Sequence, residues 1–486
     1  MRVHFAALES AFCTGSVYQR IPGSLPRVMM ILLFVLAACA PAVPPVASTE
    51  MPTPGATESV PGEVLTPTPA VSSLKVEKDS LRGARVTVWY PWFGAEASLF
   101  ESQAAQFNSE NEWGIIVSSE SKGSYSELFL QTDAAIEAAS SPQVVIAFPE
   151  HALEWGEHVV DLQPYVHDPE YGWDPFEISE FPTVIWNQDE LDGKRFGIPA
   201  QRTARFLLYN QSWARELGFA SPPATSLEFE QQSCAAHRAA GTDADTGNDA
   251  LGGWLIDTHA MTPLSWMIAF GGGAQEGEGY RFLTPGNIAA FRFVKVLQQK
   301  NCAWVPSRDM PIFDRFAGRQ ALFATAALED LPDVARAFSA AGSADEWTVL
   351  KFPGEETDAL VVYGSSYIML ESDDVTQLAS WLFMRWMLAP ENQARWVQST
   401  GLFPLREATL QLLAEYSASH PQWAEAVQYL SEGKTTPQLA SWRLVRVMLE
   451  DGFRDMFDTI RHPDLTDGQV PLILRQMDET AEDLNE

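Results

Sequence analysis

Four patterns in this 486-residue chain could carry chemistry, and three of them fail on spacing. The run SEGKTT (431–436) holds Gly-Lys-Thr, but a phosphate loop needs a glycine five positions before Gly433, where Gln428 stands. DADTGND (Asp243–Asp249) opens like a calcium loop, yet its twelfth position is Trp254 and not glutamate, so an acidic surface loop is expected and no metal. No HExxH or GxSxG occurs, the triple glycine 271–273 lacks dinucleotide spacing, and nothing calls for a cofactor. The fourth pattern is a set of flat rings, hydroxyls, one carboxylate and one guanidinium: Trp92, Tyr125, Glu150, Arg202, Trp254, Ser365, Ser366 and Tyr367. Rings cover weakly apolar C–H faces, while hydroxyls and carboxylates meet a rim of hydroxyls, so the set suits a sugar. Glu150 and Asp257 could also flank a scissile glycosidic bond, although nothing in their spacing demands it.

The elements that hold these residues alternate in type. RVTVWY (Arg85–Tyr90) reads as a buried strand, and Glu96–Asn108 places Leu99, Phe100, Ala104 and Phe107 on one helical face. Ile115–Glu120 is the next strand, Tyr125–Ala139 the next helix, and Gln143–Phe148 a third strand. Such alternation implies an α/β fold with a mainly parallel sheet, whose ligands sit past the carboxyl ends of the strands. Pro91–Phe93, Lys122–Tyr125 and Pro149–His151 occupy those ends.

The amino-terminal part has a different job. An apolar run from Val28 to Ala38, preceded by Arg20 and Arg27, is too short to span a bilayer and reads as a secretory leader over 1–38. LAAC, ending at Cys39, is similar to a bacterial lipobox, which implies cleavage before Cys39 and lipid on its thiol. Residues 39–80 are rich in proline, and 40–73 contain no lysine or arginine, so a disordered tether is expected. The protein should then sit on the outer face of a bacterial cell membrane, periplasmic or at the cell surface.

Composition narrows the partners. Sixty-four acidic residues against 32 Lys+Arg exclude nucleic acid and disfavour anionic solutes, unless one local cation handles them. About 400 residues beyond leader and tether exceed one core, so two lobes are expected. Cys234 and Cys302 remain once Cys13 and Cys39 are set aside; in an exported protein they pair as a disulfide, with two reduced thiols or half a metal site as the rivals.

Three stretches in order resemble the family 1 extracellular solute-binding proteins of ABC importers, the group that includes maltose-binding proteins. They are VTVWYPWFGAEASLFESQAAQFN, FGIPAQRTARFLLYN (196–210) and MLAPENQARWVQSTGLFPLRE (Met387–Glu407), where the family typically has an arginine at the position of Arg406. The resemblance implies a two-lobed periplasmic-binding-protein-like fold of type II. Lobe I would span 81–203 with 365–400, and lobe II 204–364 with 401–486, joined by a hinge of three crossings near Arg202, Ser365 and Gly401. It implies a monomeric, non-enzymatic receptor that captures a neutral carbohydrate and hands it to ABC permease subunits. The alternatives are a polyol phosphate such as glycerol 3-phosphate, with Arg202 as its cation, and a lipid-anchored glycosidase.

Overall fold

The computed structural model describes residues 72–485, apart from 308, 356, 459–460 and 463–464. The leader, Cys39 and most of the tether lie outside the described residues. The folded body begins earlier than residue 81. Asp168 accepts from Ser72 Oγ (2.9 Å), Ser73 N (2.8 Å) and Ser73 Oγ (3.0 Å), while Leu74 and Val76 pack against the core.

Strand β1 (Arg85–Tyr90), helix α1 (Gly94–Glu110), β2 (Ile116–Ser121), α2 (Tyr125–Glu137), β3 (Val144–Ala147) and α3 (Pro149–Trp155) follow in alternation. Strands β2 and β3 both run parallel to β1, which carries buried Val86, Val88 and Tyr90 on one face. Ser124 starts α2 through a capping box with Glu127, which fixes where Tyr125 leaves the second strand. Two-residue β4 (Ile198–Pro199) lies farther along the same sheet.

A second sheet begins four residues past β4's end with β5 (Thr203–Asn210), and gathers β6 (Trp254–Leu255), β7 (Ala303–Trp304), β8 (Phe323–Ala327), β9 (Trp347–Leu350) and β10 (Val361–Tyr363). The chain then returns to the first sheet. Strand β11 (Ser366–Met369) enters antiparallel between β3 and β4, giving the order β2-β1-β3-β11-β4. Helices α4 (Asp374–Met387) and α5 (Pro390–Thr400) pack on the first lobe; Phe100 and Phe107 of α1 meet Phe383 of α4. Strand β12 (Lys434–Thr435) closes the second sheet beside β10, and α6 (Trp442–Asp455) follows.

The passages between the sheets are bonded to one another. Ser365 O accepts from Ala200 N (2.9 Å) and Gln201 N (3.0 Å), and Arg202 O accepts from Phe403 N (3.0 Å). Gly364 is required there, because a Cβ would lie 2.2 Å from Gln201 O. Cys234 and Cys302 form a disulfide across the second lobe, with Cα atoms 4.5 Å apart. Among the described residues no helix is long and apolar enough to cross a membrane, and no group of His, Cys, Asp or Glu could hold a metal ion. In the 243–249 loop, Asp243 accepts from Asp245 N and Asn248 Nδ2, so its carboxylate serves the loop itself.

Candidate functional site

The carboxyl ends of β1, β2 and β3 face the second sheet across a cleft, and the sequence candidates divide over three depths. Tyr125 stands on its wall. Its ring stacks on Phe148 with centroids 4.1 Å apart, and its hydroxyl donates to Gln201 Oε1 at 3.4 Å. Burial pushes the phenol up to about 12, so it stays a protonated donor at any physiological pH. Ser365 points its hydroxyl at the same Gln201 oxygen, 3.5 Å away.

Trp92 sits one layer down. It is 6% exposed, wedged between Tyr90, Phe100 and Trp396 at centroid distances of 5.7, 5.5 and 5.0 Å. Ser121 Oγ donates to its carbonyl at 2.7 Å and holds the turn after β1 in place. Its indole borders the Tyr125 hydroxyl, so it steadies the wall more than it offers a free face.

Arg202, Ser366 and Tyr367 lie behind the cleft. Arg202 Nη1 donates to Ser365 O (2.6 Å) and Gln201 O (2.8 Å); Nη2 donates to Asp189 Oδ2 (2.7 Å) and Ser366 Oγ (3.1 Å). Ser366 Oγ also donates to Asp189 Oδ1 at 2.5 Å. Arginine, aspartate and serine are all fully buried, so the guanidinium expected to meet a phosphate is spent on the hinge. Tyr367 is core, 2% exposed. Trp254 is also removed from the cleft. It is fully buried in the second lobe against Phe229 and Trp266, and its Nε1 donates to Thr325 Oγ1 at 3.1 Å. The glycines before it serve close packing, since a Cβ on Gly253 would lie 1.9 Å from Cys302 O.

Glu150, in the first turn of α3, stands at the seam. It is 6% exposed and 3.4 Å from Arg446 Nε of α6. Burial pushes its carboxyl up, and Arg446 pulls it back. The Arg446 guanidinium lies 4.9 Å over Phe148, and Arg443 lies 4.2 Å over Phe129 while binding Glu154. Here the cleft narrows to a cavity of about 50 Å³ bounded by Phe148, Glu150, His259, Tyr363 and Arg446, room for water only. His259 is held down to about 4 by burial and by Arg205, so it is neutral at pH 7.

The second lobe contributes groups that were not foreseen. Arg205 Nε donates to Asp257 Oδ2 at 2.7 Å, and Thr262 Oγ1 donates to the same oxygen. Asp257 is thereby committed to an arginine and has no free oxygen pair aimed at Glu150. Glu329 accepts from Thr203 Oγ1 at 2.5 Å. Strand alternation could have exposed Arg205, which lies between buried Ala204 and Phe206. No local signal marks Arg443, Arg446 or Glu329.

A stacked wall and paired charges thus line the space between two sheets whose connecting passages are bonded to one another. Solved structures share the fold. The sugar-binding protein MalE of Xanthomonas citri is 20% identical with a TM-score of 0.70, covering 82% of this chain and 97% of its own. The cyclic α-maltosyl-1,6-maltose binding protein of Arthrobacter globiformis is 16% identical with a TM-score of 0.67, covering 83% and 99%. UgpB of Mycobacterium tuberculosis, solved with glycerophosphocholine, is 16% identical with a TM-score of 0.64, covering 82% and 98%. No curated protein matches the chain. Residues 102–449, most of the folded body, match the bacterial extracellular solute-binding proteins, and the chain belongs to that family.

Proposed function

We propose that the protein is a lipid-anchored extracytoplasmic receptor that captures a hydroxyl-rich solute between its lobes and delivers it to an ABC permease without turnover. The observation that carries this reading is the Tyr125–Phe148 stack, whose Phe148 shares one cavity with His259, Tyr363 and Arg446 from beyond the first sheet. Tyr125, Glu150, Ser365 and the edge of Trp92 are proposed as first-lobe contacts, with Arg205 and Glu329 opposite. Arg202 and Ser366 set the hinge. Lobe I is taken as 81–203 with 365–400, together with the preceding segment from Ser72. Lobe II is taken as 204–364 with 401–486.

The relatives' ligands support a sugar: cyclic α-maltosyl-1,6-maltose for the Arthrobacter protein and a sugar for MalE of Xanthomonas citri, against glycerophosphocholine for UgpB. A polyol phosphate is less well supported, because Arg202 is engaged by Asp189. A glycosidase is less well supported too, because Asp257 is engaged by Arg205. The anchor at Cys39 and the permease partner rest on the lipobox and on family membership. Calorimetry with neutral mono- and oligosaccharides tests the reading, since at least one should bind with a 1:1 stoichiometry and be recovered uncleaved. Binding of none, or release of shorter sugars by the pure protein, would overturn it. Cys39→Ala should move the exported protein into the soluble fraction.

A further inference from the structure

Helix α6 closes one end of the cleft. Its inner face, Trp442, Val445, Leu449 and Phe453, belongs to the core of the second sheet, whereas Ala152 and Trp155 of α3 pack with Val145 and Ile368 of the first. The two helices nevertheless meet. Arg443 binds Glu154 through Nε and Nη2 and lies 4.2 Å over Phe129. One turn later, Arg446 pairs with Glu150 and lies 4.9 Å over Phe148. Positions 443 and 446 share a helical face, as do 150 and 154, so the contact is a row and not a point. Gln438 carries the row farther, its Nε2 donating to Asn187 O (2.9 Å) and Glu190 O (3.2 Å).

The floor behind this row is polar and incompletely bonded. The Glu150 side chain is 7% exposed and is met by its own backbone amide and by the charge of Arg446; among the described residues no side chain donates a hydrogen bond to it. Arg446 Nε pairs with it as a charge at 3.4 Å, yet that buried N–H has no hydrogen-bond partner. A buried donor beside a buried acceptor costs free energy until one group accepts from the first and donates to the second. A hydroxyl does both. The space they border, about 50 Å³, admits a hydroxyl arm in the place of water but no sugar ring.

We infer that the cleft is blind at this end and takes its solute by a chain terminus, with a hydroxyl of the terminal sugar seated between Glu150 and Arg446 Nε. This rests on the receptor reading above and narrows its substrate class to monosaccharides and open-chain oligosaccharides. A cyclic sugar has no terminus to offer, and the middle of a polymer would have to run through the contact between α3 and α6.

The test compares sugars that differ in having an end. Glucose, maltose, maltohexaose and α-cyclodextrin, the cyclic counterpart of maltohexaose with the same number of glucose units, are titrated calorimetrically into the mature full-length protein at pH 7. Linear sugar should bind, and α-cyclodextrin should bind about a hundredfold more weakly than maltohexaose, or not at all. Arg446→Met keeps an apolar stem against Phe148 and removes the donor, so it should weaken maltose binding about tenfold. Arg443→Ala opens the row without touching the seat of the hydroxyl, and should shrink the linear-to-cyclic ratio several-fold. In the wild type, α-cyclodextrin binding within about tenfold of maltohexaose would overturn the inference and leave the receptor reading intact. Unchanged maltose affinity in Arg446→Met would do the same, whereas silence in every wild-type arm would overturn both.

Discussion

Arg443 grips Glu154 with two hydrogen bonds, Nε to Oε2 at 2.9 Å and Nη2 to Oε1 at 3.0 Å, and the two residues belong to opposite walls of the cleft. Both side chains keep some contact with water, 24% and 37% of their surface, so the pair contributes only about 0.5–1 kcal/mol. Arg443→Ala should therefore loosen closure without unfolding either lobe. Small-angle scattering should give the empty variant a larger radius of gyration than the wild type, with solute affinity weakened about two- to fivefold. An unchanged scattering curve would mean that the pair only decorates the seam.

Trp92→Ala should cost stability as well as affinity. The ring contacts three other aromatics, so its loss should destabilise the protein by about 3–5 kcal/mol through an unfilled cavity. Denaturant unfolding measures this directly. A loss below 1 kcal/mol would return Trp92 to the cleft surface as a stacking face.

The Cys234–Cys302 bridge closes a loop of 68 residues. Loop-entropy arithmetic assigns such a bridge about 4 kcal/mol. Cys302→Ser should lower the melting temperature of the second lobe more than that of the first, so a single thermal transition should split in two. Mass spectrometry of unreduced peptides should find the pair linked in the exported wild-type protein.

Acid should weaken the fold through His151. This imidazole is 1% exposed, boxed by Phe129, Phe148 and Trp155, and its Nδ1 has no partner. Burial first, then Arg446 and Arg443, hold it down to about 3. The unfolded chain takes up the proton near pH 6.5, so stability falls as pH drops from about 6.5 toward 3. The loss from this group reaches about 5 kcal/mol at most. His151→Phe should flatten that limb of the stability curve and cost little at pH 7.5. Parallel acid limbs for the two proteins would refute the assignment.

Much of the first lobe was legible because its residues obey local rules. Arg85–Tyr90 is a β-branched and aromatic strand at its observed bounds, and helix α2 starts at Tyr125 as expected, under the Ser124 cap. The passage at Gly364–Ser365 was legible because glycine interrupts an apolar run. Partners distant in sequence were not. Arg202 looked available because its anion, Asp189, lies in a short turn with no pattern of its own. Trp254 was expected to offer its ring to the solute, whereas the glycines before it let strand β6 press against Cys302 and the ring turns into the core. Arg443 meets Glu154 across 289 residues, and no local spacing reports such a contact.

Strand β11 carries one more consequence, for the order in which the molecule can be made. It supplies the hydrogen bonds that join β4 to the rest of the first sheet, and it is drawn from residues 366–369. A chain emerging amino end first holds β1, β2 and β3 early, but their sheet stays unfinished until the bulk of the second lobe has followed. During that interval the first lobe lacks its fourth strand and the Arg202 anchor at Ser365 and Ser366, so it cannot lock. The long return path thus keeps the early part of the chain loose while it is being threaded out of the cell, and tightens it only once the rest has passed.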